Sequence, residues 1–150
     1  MMERFESFLN LSVALTGFSQ IELRGTGMAS DYLGALEATL PVGVCDELLT
    51  AWDTLSAGAD DDTAVRQILG DPKLGPVAQN LIVLWYCGTW TALPDAWRSA
   101  YGVSPLDMKR VISAEAYQAG LQWVVAGAHP PGSGQQGFAA WSMPPDGSSL

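Results

Sequence analysis

Leu81-Ile82-Val83-Leu84-Trp85-Tyr86-Cys87-Gly88-Thr89-Trp90 is the longest strongly apolar run in the chain and carries no charged side chain. Wound as a helix, it places apolar groups on every side, so no face of it suits water. Pro76 precedes it at a position that suits the first turn of a helix. The run therefore predicts a central helix with Val77, Leu81, Leu84 and Trp85 on one face, widened by Ile82, Tyr86 and Cys87. Gly88 is expected to end that helix or to admit a neighbouring backbone.

Working outward, residues 3–18 carry Phe5, Phe8, Leu9, Leu11, Leu15 and Phe18 at three- and four-residue steps, which predicts a first helix stopped near Gly17. Residues 19–27 read as an irregular link. A helix over 29–39 faces inward with Tyr32, Leu33, Leu36 and Leu40 and is closed by Pro41. Another over 44–56 carries Val44, Leu48, Leu49, Trp52 and Leu55 on one stripe, with Asp46 and Glu47 where the helix dipole favours acid. Asp60-Asp61-Asp62 fits no calcium-loop pattern and reads as a solvated loop, with Asp62 capping a short helix over 63–69. A turn or two of helix follows at 94–100. Ser113 then caps a last helix whose inner face is Tyr117, Leu121, Val124 and Val125, with Gly127 as its stop.

From residue 128 the composition changes. His129-Pro130-Pro131-Gly132-Ser133-Gly134-Gln135-Gln136-Gly137 has no apolar period, yet Phe138 and Trp141 follow. The expected architecture is an all-α, single-domain irregular helical bundle, with a helical body over about 3–127 and an extended Pro/Gly-rich tail over about 128–150. At 150 residues such a domain buries roughly 70% of its unfolded surface, so its core needs no staple.

Sixteen acidic against seven basic residues give a net charge of −9. This argues against nucleic acid and anionic membranes as partners, because both are recognised by clustered Lys and Arg. No segment reaches the ~18 apolar residues of a membrane span, so no direct membrane insertion is expected. The start, Met1 to Glu6, shows no basic region, apolar run or twin-arginine pair, and no export by its own signal is expected.

The chemistry-bearing residues are sparse. Cys45 and Cys87 are too few for a structural zinc or an iron–sulfur cluster. A buried free thiol is expected, with pairing to each other or to a partner as the alternatives. His129 is the single histidine and reads as a capping or packing residue. No nucleophile elbow, phosphate loop or dinucleotide fingerprint occurs. No catalytic, cofactor-binding or metal-ligating residue is assigned. Trp52, Trp85 and Trp123 occupy core-type helix positions, whereas Trp90, Trp97 and Trp141 lie near loops and are candidate contact anchors.

Four stretches taken together carry a family resemblance. Leu84 to Trp90, followed by Ser113-Ala114-Glu115-Ala116-Tyr117-Gln118-Ala119-Gly120-Leu121-Gln122-Trp123, His129-Pro130-Pro131-Gly132 and Gly137-Phe138-Ala139-Ala140-Trp141, resembles the small subunit of membrane-bound FAD-dependent sugar dehydrogenases (sorbitol, fructose and glucose dehydrogenases). Phe8 to Phe18 resembles that family's opening helix.

The resemblance implies a non-catalytic accessory subunit. FAD and sugar or polyol oxidation would belong to a large partner subunit, and a cytochrome c subunit would take the electrons. The small chain would aid maturation, stability or export at the periplasmic face of the inner membrane. The start departs from the twin-arginine signal of the family, which fits a trimmed chain, a misplaced start or a cytoplasmic relative. The expected partner-binding residues are Trp85, Tyr86, Cys87, Gly88, Trp90 and Tyr117, with His129, Pro130, Gly132, Phe138 and Trp141 in the tail. A stand-alone carbohydrate-binding or protein-interaction module is the alternative.

Overall fold

A computed structural model of the chain describes residues 3–127. The fold is all-α, with one small two-stranded ribbon. Helix α1 (Arg4–Thr16) runs through the middle, against α4 (Val44–Gly58) and α6 (Leu74–Cys87), and is also touched by α2 (Gln20–Gly25), α3 (Ala29–Thr39) and α5 (Asp61–Leu69). The expected central run is buried as its composition requires. Leu81, Leu84, Trp85 and Trp90 are fully covered, and no residue from 80 to 90 is exposed. Trp85 is packed edge-on by Tyr32 at 4.8 Å and stacked by Phe8 at 6.2 Å between ring centroids. Such aromatic pairs add about 1 kcal/mol each beyond the area they bury.

Helix α3 has the predicted bounds. The segment read as an irregular link instead holds α2. Ser19 Oγ accepts from the Glu22 backbone N–H at 3.1 Å, while Glu22 Oε1 accepts from the Ser19 N–H at 2.8 Å. This reciprocal capping box satisfies two otherwise orphaned donors and is enough to start a six-residue helix. The cap of α5 is also shifted. Asp60, not Asp62, accepts from the Thr63 N–H at 2.8 Å. Asp62 lies inside the helix and pairs with Arg66 one turn on. Helix α6 begins two residues before Pro76, because Asp71 Oδ1 accepts from the Lys73 and Leu74 N–H groups at 2.8 and 2.9 Å.

Beyond α6 the chain turns through Gly88 into β1 (Thr89–Trp90), which pairs antiparallel with β2 (Arg110–Val111), Thr89 opposite Val111. Between them lies α7 (Asp95–Tyr101). The single last helix read from the sequence is two: α8 (Ala114–Gln118), capped by Ser113, and α9 (Leu121–Ala126). The break lies where backbones approach closely. A Cβ placed on Gly120 would lie 2.5 Å from the Tyr86 carbonyl oxygen, and one on Gly88 would lie 2.4 Å from that of Ala116. The end of α6 therefore touches backbone at both glycines, where a side chain would not fit. The break also turns Val124 and Val125 outward, at 67% and 66% exposure, against the expected inner face.

Candidate interaction surface

The end of α6, with α8 and α9 folded across it, gathers those expected partner-binding residues that fall within the described part of the chain. Trp85, Gly88 and Trp90 are buried inside the chain. They set the shape of this region from within, their side chains being covered by the chain itself. Trp90 and Trp97, read as anchors near loops, are core residues at 0% and 4% exposure. Indole burial is made affordable by paired N–H groups. Trp90 Nε1 donates to Asp107 Oδ1 at 2.9 Å, and Trp97 Nε1 donates to the Lys73 carbonyl at 2.6 Å.

Tyr86, Cys87 and Tyr117 are half-buried and reach the surface. The Tyr86 hydroxyl donates to the Thr16 carbonyl at 3.2 Å, and its ring meets Phe18 edge-on at 6.1 Å. Tyr117 meets the Trp123 ring at 5.6 Å, and Trp123 Nε1 donates to the Tyr117 carbonyl at 2.8 Å. Val124 and Val125, both exposed, directly follow Trp123 in the chain. His129, Pro130, Gly132, Phe138 and Trp141 lie outside the described residues.

Both cysteines are free thiols. Cys45 is buried against α1, and burial pushes its pKa up to about 11, with Arg4 opposing and Glu37 adding to the rise. That keeps it protonated and a poor nucleophile. Among the described residues no group of three or more His, Cys, Asp or Glu is placed to hold a metal ion. No helix there is long and apolar enough to cross a membrane.

A cleft of about 800 Å³ opens between α1 and α4, lined by Arg4, Ser7, Asp46, Leu49, Asp53 and Ala57 among others. Arg4 is neutralised by Glu37 and Asp46, and Ser7 Oγ donates to Asp53 Oδ2 at 2.8 Å. Its walls carry no aromatic face on which a sugar ring could stack.

Against protein-family models, curated proteins and solved structures, the chain finds no match.

A second surface was not marked by the sequence reading. Residues 101–111 expose Tyr101, Val103, Leu106, Met108 and Val111, and the neighbouring turn exposes Val42. The two segments touch. The Pro41 ring lies against Gly102, and Arg110 Nη2 donates to Thr39 Oγ1 at 2.9 Å. From beneath, the buried carboxylate of Asp107 accepts from both Trp90 Nε1 and the Leu93 N–H. The signal available in the sequence was the density of apolar residues without a helical period, beside Lys109-Arg110, the only adjacent basic pair.

Proposed function

We propose that this chain is a non-catalytic accessory small subunit of an FAD-dependent sugar or polyol dehydrogenase, binding the large flavoprotein subunit and aiding its maturation, stability or export at the periplasmic face. FAD and the oxidation belong to the partner in this reading, with a cytochrome c subunit as the electron acceptor. The observation that carries it is the end of α9. Exposed Val124 and Val125 directly follow Trp123, whose ring meets Tyr117 edge-on, where the chain leads into the tail. Exposed apolar groups beside rigid aromatics are what a protein contact needs, since little side-chain freedom is lost on binding. The resemblance of the α6, α8 and tail segments to that small-subunit family supplies the partner's identity.

The test is co-expression with a flavoprotein dehydrogenase subunit encoded beside this chain. Truncation after Gly127 should abolish co-purification. A complex that survives truncation unchanged removes the tail from the interface, and the absence of any complex with the full chain rejects the subunit reading.

A further inference from the structure

The second face, formed by residues 101–111 and the turn at Val42, has a charge pattern unlike the rest of the molecule. Five of the seven basic residues pair with the chain's own carboxylates: Arg4, Arg24, Arg66, Lys73 and Arg98. Lys109 is exposed and makes no ion pair among the described residues. Arg110 bonds to the Leu106 carbonyl and the Thr39 hydroxyl, and to no carboxylate among those residues. In a chain of net charge −9, the two cations without a carboxylate partner among the described residues are adjacent and neighbour exposed Leu106, Met108 and Val111 in the chain.

We infer that this face is a second contact site for the flavoprotein partner, and that it receives a partner segment of apolar side chains rimmed by carboxylates. The inference rests on the subunit reading above and adds a location other than α9. Three observations set the chemistry. The apolar groups are held on a pinned loop, so docking loses little conformational freedom. The uncompensated cations select an acidic rim, and opposite charge at a rim speeds encounter and fixes register. The remaining strongly negative surface opposes an anionic lipid bilayer, whose headgroups repel carboxylates within a Debye length of about 8 Å. A protein segment, small and locally acidic, meets the cations without meeting that repulsion.

The experiment compares the full chain with Met108→Asp and Lys109→Glu, each in complex with the flavoprotein subunit. Both positions are exposed, so thermal unfolding of the isolated variants should match the parent. Met108→Asp should weaken the complex roughly tenfold or more, as burying a carboxylate at a contact centre does. Lys109→Glu should slow association about tenfold and flatten its salt dependence. Parent-like affinity in both variants overturns this face while leaving the subunit reading intact. No complex with the parent chain overturns both. Binding of the parent to phosphatidylserine vesicles that Met108→Asp abolishes overturns the protein partner in favour of a lipid surface.

Discussion

Asp107 and Trp90 meet inside the protein: the indole N–H donates to the carboxylate at 2.9 Å, seventeen residues along the chain. The same oxygen accepts from the Leu93 N–H at 3.0 Å, and Arg98 Nε lies 3.5 Å from the other oxygen. One carboxylate therefore fastens the 101–111 segment to β1 and the loop before α7. Asp107→Ala leaves two buried donors unsatisfied and should cost about 2–4 kcal/mol in urea unfolding. Asp107→Asn retains an acceptor oxygen and should cost less. Equal losses in the two variants would mean that the negative charge of the carboxylate, rather than its shape or its acceptor oxygen, explains the site.

Gly88 and Gly17 both end helices with positive φ, at +66° and +81°. They differ in surroundings. A side chain at Gly17 meets nothing within 4 Å, while at Gly88 it would overlap the Ala116 backbone. Gly17→Ala should cost about 1–2 kcal/mol from the left-handed backbone alone. Gly88→Ala adds the collision and should cost about 3 kcal/mol or more. Chemical denaturation of the pair separates the two effects, and similar losses would show that α8 yields readily.

The thiols should differ in reactivity. Cys87 is half-buried and Cys45 is buried, so at pH 8 a disulfide reagent should label Cys87 first and Cys45 only on unfolding. Burial raises the folded-state pKa of Cys45 from 9.0 to about 11. The folded chain thus retains a proton that the unfolded chain releases, and stability should fall as pH rises from 9 to 11. Burial also raises the Tyr32 phenol, so Cys45→Ala should remove part of that alkaline slope and not all of it. An unchanged slope would show that Cys45 is not its source.

At acid pH the cap of α5 is the sensitive point. The hydrogen bond from Thr63 holds the Asp60 carboxyl below its ordinary 3.8. Its contribution is complete above that value and is lost as pH falls through the lower folded-state pKa. Asp60→Asn keeps an acceptor without the titration. Its thermal midpoint should fall less steeply with acid than the parent's, and parallel acid profiles would reject Asp60 as a contributor.

The sequence carried the helices whose causes are local. The apolar spacing from Tyr32 to Leu40 and the stop at Pro41 locate α3, and the uncharged run from Leu81 locates α6. The capping box at Ser19 and Glu22 was equally local but starts a helix too short to show a period. Other features are set by distant groups. Among three consecutive aspartates each can cap, and backbone placement selects Asp60. Tyr117, Leu121 and Val124 keep helical spacing across Gly120, so spacing alone does not reveal the break between α8 and α9. For the candidate surfaces, Trp90 and Trp97 read as loop residues because nothing adjacent to them reveals that Asp107 and the Lys73 carbonyl receive their N–H groups. The exposed face at 101–111 was legible only as composition, since its edges depend on Pro41 and Thr39.

The stacking of Phe8 on Trp85 has a consequence for biosynthesis. Translation delivers α1 first, but the ring that covers Phe8 leaves the ribosome only after most of the body has been made. Until then α1 has only the cover that α2 to α5 give it, and a holding chaperone would find its substrate in the Phe8 side of α1, at the oldest part of the nascent polypeptide.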